Sequence, residues 1–141
     1  MSIKDTNSIR LARTHFSIAL ESIGIFKEIV DSDANILVKY GILFSCINHL
    51  REGLSQVDSF LDENKYTELD QTIKANLRTS SGAIKGYMGW MMEEFLPGIA
   101  NDEAWERQTG RSLDAFDDGK KNVPNVEPAL LTIDDIISAL A

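Results

Sequence analysis

Residues 9–30 read IRLARTHFSIALESIGIFKEIV, and the order of apolar and polar side chains in that stretch decides the fold class. Ile9, Ala12, Phe16, Ala19, Ile23, Phe26 and Val30 recur at spacings of three and four, the interval that returns a side chain to one face of an α-helix. Leu11, Ile18 and Ile25 add a second line, seven residues apart. The apolar face is therefore wider than a coiled-coil seam, and Arg10, Arg13, Thr14, Glu21, Lys27 and Glu28 take the remaining face. Such a helix has to bury its wide face against other helices. Asp5, Asn7 and Ser8 offer oxygens for its unpaired first amides, which predicts a helix beginning near Thr6 to Ser8 and occupying about 8–30.

Asp31-Ser32-Asp33 is a connection short enough to fold the next helix back antiparallel. That second helix, predicted over 34–62, repeats the rhythm with Ile36, Tyr40, Leu43, Ile47, Leu50, Leu54, Val57 and Leu61. Its first half is apolar nearly all round, which predicts a central position; Arg51, Glu52, Gln56, Asp58 and Asp62 mark an outer face on its second half. Asp62-Glu63-Asn64 ends it. A third helix over 65–79 would turn Tyr66, Leu69, Ile73 and Leu77 inward. Thr79-Ser80-Ser81-Gly82 then reads as a break or kink, because hydroxyls compete for helical carbonyls and a mid-helix glycine costs roughly 1 kcal/mol. The alternative is one bent helix continuing through Ile84, Met88, Met91 and Phe95. In a fourth helix over 82–96, Gly82, Gly86 and Gly89 predict a close approach by a neighbouring helix, and the methionines at 88, 91 and 92 read as core.

Past Pro97-Gly98 the regular pattern fades. Short helical turns are expected around Trp105 and Ser112, then an extended loop from Gly119 to Pro128. Thr132, with Asp135 at capping-box spacing, is expected to open a final helix over 132–140 whose apolar face is Ile133, Ile136, Ile137 and Leu140. The whole is one all-α domain over 1–141. A bundle of about four mostly antiparallel helices occupies about 8–96, followed by a loop-rich acidic segment over 97–131 and the short last helix. No strand pattern or internal repeat interrupts this.

Composition agrees with a folded domain: 43% of residues are hydrophobic and 26% charged. A chain of 141 residues buries roughly 70% of its unfolded surface and needs no covalent staple. The one cysteine, Cys46, lies in an apolar run, which points to a buried thiol and a reducing, cytoplasmic setting. The opening residues carry no secretory pattern. The most apolar stretch, Ile36 to Ile47, is too short to span a bilayer and is broken by Lys39, Gly41 and Ser45.

The net charge is −8. It disfavours direct binding to nucleic acid or to an anionic membrane surface and favours a basic protein partner. The charge is also unevenly placed. Between Glu93 and Asp118 stand eight carboxylates, those of Glu93, Glu94, Asp102, Glu103, Glu106, Asp114, Asp117 and Asp118, against Arg107 and Arg111, a net −6. Trp105 and Phe116 are interleaved with these acids, and Trp90 and Phe95 adjoin them. Rings that desolvate and carboxylates that steer encounter are the parts of an interface with a basic protein surface. The eight acids, Trp105 and Phe116 are therefore the candidate partner-binding residues. The expected function is non-enzymatic: an immunity protein, antitoxin or inhibitor that occludes a basic, nucleic-acid-handling partner.

Catalytic and metal patterns contribute little. Cys46 and His49 have a ligand spacing, but a zinc site needs three or four ligands, and His15 is the only other histidine. His49 is expected to be partly buried and bonded to backbone. Glu93 and Glu94 lack the following histidine of a di-metal carboxylate bundle. Asp114, Asp117, Asp118 and Gly119 do not make a calcium loop, since Phe116 and Asn125 occupy positions that require carboxylates. No phosphate-cradling or dinucleotide-binding glycine loop and no nucleophile elbow occurs, so no cofactor is assigned.

Arg10 and His15, an arginine and then a histidine after four intervening residues, resemble the core pair of the HEPN family of small helical nucleases. The resemblance implies RNA cleavage by these two side chains. The family's usual polar residue after the arginine is here Leu11, and the pair opens the first helix where the family places it late in the bundle. Five residues along a regular helix also turn two side chains about 140° apart. A structural role in a homo-oligomer is a third alternative, drawn from the breadth of the first helix's apolar face.

Overall fold

The computed structural model describes residues 2–29, 32, 36–90 and 125–140. Helix accounts for 86% of them, and no strand occurs among them: the chain is an all-α bundle. Four helices are described, α1 (Thr6–Ile29), α2 (Ile36–Glu63), α3 (Gln71–Trp90) and α4 (Glu127–Leu140). None is long and apolar enough to cross a membrane.

Helices α1 and α2 form the antiparallel hairpin that the short connection predicts. Ser59 Oγ donates to Asp5 Oδ2 at 2.8 Å, and His15 meets His49 farther along. In both pairs the residue numbers add to 64, which fixes the register. Helix α4 runs antiparallel to α1 on its other flank, where Arg13 pairs with Asp134 and Arg10 lies near Ala139 and Leu140. Helix α3 packs on α2, with Lys85 Nζ 3.0 Å from Asp58 Oδ1, and α4 closes the ring by packing on α3 as well as on α1.

The predicted faces of α1 and α2 point into the core. Ile9, Ala12, Phe16, Ala19, Ile23 and Phe26 are buried, as are Leu43, Ile47, Leu50, Leu54 and Val57; Leu61 packs against them. Val30 and the side chains of Ile36 and Tyr40 lie outside the described residues. Phe60, absent from the predicted set, is fully buried. The first half of α2 is less enclosed than its composition suggests. Leu37 and Val38 are 70% and 51% exposed, and Phe44 is 48% exposed, whereas Leu43 between them is buried.

Helix α1 starts at Thr6, within the expected Thr6 to Ser8, and two other helix starts differ from the sequence expectation. Asp5 does not cap α1 through its carboxylate. Asp5 takes a left-handed φ of 57°, its carbonyl accepts from the Ser8 amide at 3.1 Å, and its carboxylate is taken by Ser59. Helix α3 begins at Gln71, not 65, because Asp70 Oδ1 accepts from the amides of Thr72 and Ile73 at 2.7 and 3.2 Å. Tyr66 consequently sits in the connection and is 85% exposed, not inward. Helix α4 starts at Glu127, five residues before the expected Thr132. Asn125 Oδ1 accepts from the Glu127 amide, and Pro128 stands in the first turn, where its missing N–H costs nothing. Thr132 is inside the helix and bonds back to the Pro128 carbonyl at 2.9 Å.

The expected break at Thr79–Gly82 does not occur. Helix α3 runs unbroken through it, since Ser80 Oγ folds back onto the carbonyls of Asn76 and Leu77 and leaves the ladder intact. The glycine stripe is corrected too. Among the described residues a Cβ on Gly82, Gly86 or Gly89 would meet nothing within 4 Å, so none of the described helices approaches closely there. The close approach is at Gly53, where a Cβ would run into the ring of Phe16.

Two buried polar residues tie the α2–α3 turn to the rest. Asn64 is fully buried; its Oδ1 accepts from the Lys4 amide and Thr67 Oγ1, and its Nδ2 donates to the carbonyls of Lys4 and Phe60. Lys74, 1% exposed, lays its stem in the core and donates from Nζ to the Lys65 carbonyl at 3.3 Å.

Candidate functional site

The predicted partner-binding residues, from Glu93 and Glu94 through Asp102, Glu103, Trp105 and Glu106 to Asp114, Phe116, Asp117 and Asp118, all lie outside the described residues. Trp90, at the edge of that segment, is half-buried, and its ring centroid lies 5.9 Å from that of Tyr87. This aromatic therefore packs on its own helix. Met88 packs against the core as expected, and Met91 and Met92 fall outside the described residues.

Among the described residues, the densest grouping of chemically capable side chains lies between α1 and α2. Both histidines of the chain meet there. Nδ1 of His15 is 3.0 Å from Nδ1 of His49, the ring centroids are 5.3 Å apart, and the ring planes are inclined by 31°. Each residue is half-buried. A contact between two ring nitrogens holds only if one donates a proton to the lone pair of the other, so one histidine is the donor and its partner the acceptor. His49 thus bonds an imidazole and not the backbone group expected from sequence. A hairpin connection centred on Ser32 puts position 15 of the first helix level with position 49 of the second, but it does not fix that the two rings turn toward each other.

Arg10 does not share that environment. It is exposed and lines an open hollow of about 410 Å³ with Ser2, Ile3, Thr6, Glu68, Ala139 and Leu140. The helix thus turns Arg10 toward α4 and His15 toward α2, in keeping with the angular separation expected of them. Arg13, on the same flank as Arg10, is held by Asp134.

The α2–α3 contact carries two further titratable groups. Burial pushes the Cys46 thiol up from 9.0 to about 12, which keeps it protonated and inert in neutral solution. Burial also raises the Tyr87 phenol, with the neighbouring Cys46 adding to the effect. Neither group is poised to react. No set of three or more metal-ligating side chains comes together among the described residues. No family model matches the chain, and no curated protein or solved structure does either.

Proposed function

We propose that this protein is a non-enzymatic acidic binding module that neutralises a basic partner, as an immunity protein, antitoxin or inhibitor of a nucleic-acid-handling protein does. The observation that carries the proposal is the placement of charge. A net −6 of the chain's −8 is confined to the 26 residues from Glu93 to Asp118, which leaves a net −2 for the rest of the chain. Such segregation creates a local field that accelerates encounter with a lysine- or arginine-rich surface. Trp105 and Phe116 would supply the desolvated anchors, and the carboxylates would occupy the cations that otherwise hold phosphate. The same charge repels nucleic acid itself and an anionic bilayer.

The test uses partner captured from the native host and stopped-flow association at several salt concentrations. Reversing Asp114, Asp117 and Asp118 to lysine should slow association by on the order of tenfold at low salt and flatten its salt dependence. Unchanged kinetics would sink the assignment. Incubating the purified protein with RNA, beside a His15→Ala variant, addresses the rival nuclease reading. The different neighbours of Arg10 and His15 support the binding module over that rival.

A further inference from the structure

We infer that His15 and His49 form an acid-sensitive latch between α1 and α2, which holds at neutral pH and lets go when both rings carry an added proton. The inference is independent of the acidic segment and of the proposed partner. Its basis is the head-on contact of the two Nδ1 atoms at 3.0 Å, with the ring centroids 5.3 Å apart. Imidazole is the side chain whose charge ordinarily changes between about pH 5 and 8, so acid alters what this contact can be.

The pair can hold no added proton, one or two. With both rings neutral, one Nδ1–H donates to the lone pair of the other Nδ1. A first added proton leaves that bond in place, since a charged ring still donates to a neutral one. A second leaves no acceptor. Both Nδ1 atoms then carry hydrogen, and two like charges face each other at hydrogen-bond distance. The rings must turn apart, and the α1–α2 contact loses a bond and gains a repulsion. In the unfolded chain no such contact stands in the way of either proton. Once acid supplies the second, unfolding therefore takes up a proton, and stability falls as the pH drops.

Nothing among the described groups offsets that repulsion. One turn to either side of His15 stand Leu11, Ala12, Ile18 and Ala19, all apolar. At the same distance from His49 stand Ser45, Cys46, Glu52 and Gly53. Burial keeps the Cys46 thiol protonated and neutral, and likewise the Tyr87 phenol that α3 sets beside it. Glu52 is exposed, and among the described residues it forms no ion pair with either ring. The charges of the helices behind are engaged elsewhere: Asp134 of α4 holds Arg13, and Lys85 of α3 holds Asp58. His15 precedes Phe16 in sequence and His49 lies one turn before Gly53, so the pair borders the close crossing of the hairpin. The loss thus falls at the tightest part of the α1–α2 contact.

The experiment follows urea unfolding of the full chain between pH 7.5 and 5, for the wild type, His15→Gln, His49→Gln and the double variant. The wild-type midpoint should fall over this range by at least about 0.5 M more than that of any variant. Either single substitution should remove the whole of that excess, because one imidazole alone has no like charge to meet, and the double variant should remove no more. Equal falls in all four proteins overturn the inference. So do single variants that each remove only a part, since two separate histidines would behave that way. If the variants fail to fold, an NMR titration of the wild type decides. The chain has two histidines, and the imidazole resonances of both must move together as acid is added. Rings that respond independently of each other refute the latch.

Discussion

At Gly53 the backbone of α2 lies so near α1 that a single added carbon would fall 2.6 Å from Cδ1 of the fully buried Phe16 ring. Two effects oppose each other in Gly53→Ala. Alanine improves helix propensity by about 1 kcal/mol, while forcing a methyl group into a packed ring costs about 1–3 kcal/mol. The clash is with the body of the ring and not with a flexible end, so overpacking wins. Urea unfolding should show a net loss of about 1–2 kcal/mol, and adding Phe16→Leu should recover part of it. Cys46 gives a second expectation at this scale. Its thiol ionises near 9.0 in the unfolded chain and at about 12 in the folded one, so between those values the unfolded chain loses a proton that the folded chain keeps. Stability therefore falls as pH rises above 9, and the fall should be shallower in Cys46→Ala. Below that range, a thiol reagent should label Cys46 only as the protein unfolds. The burial of Cys46 was legible from its apolar run; the role of Gly53 was not, because a glycine's spacing does not say which neighbour faces it.

Helix α3 shows how an element survives local signals against it. Thr79, Ser80, Ser81 and Gly82 argue for a break, yet Leu77 and Ile84 on either side are fully buried, and that shared burial keeps the segment helical. The cost remains at two positions. Among the described residues Ser81 Oγ is buried with no hydrogen-bond partner, and Gly82 is an exposed mid-helix glycine with open space around it. Ser81→Ala and Gly82→Ala should each raise stability by about 1 kcal/mol in thermal or urea unfolding. The sign is opposite to that expected at Gly53, although both exchanges are glycine to alanine in a helix. A loss of stability in both variants would argue against a continuous α3. The helix starts were missed for a related reason: Asp70 and Asn125 are ordinary capping residues, but Tyr66 and Thr132 offered rival signals of equal local strength.

At the scale of the molecule, α4 closes the ring by joining α1 and α3, and two kinds of contact hold it there. The Arg13–Asp134 pair has both side chains about half exposed, at 49% and 45%, so solvent screens it and a double-mutant cycle should find at most about 1 kcal/mol of coupling. Ala129, Ile133 and Ile136 are fully buried, and truncating Ile136 to alanine should cost about 2–5 kcal/mol. Apolar burial and not the ion pair decides whether α4 docks, and a strong coupling with a negligible Ile136→Ala loss would reverse that order. From the amino-acid order alone followed the all-α class, the hairpin of α1 and α2, their inward faces and the segregation of charge beyond Glu93. Each of these depends on residues close together along the chain, where helical periodicity and charge counting suffice. Only the folded arrangement decided that His15 meets His49, that Gly53 and not the 82–89 glycines sits at the close crossing, and that Lys74 is buried. Those contacts join residues far apart in sequence, and they are set by the register and crossing of packed helices, which no local pattern encodes.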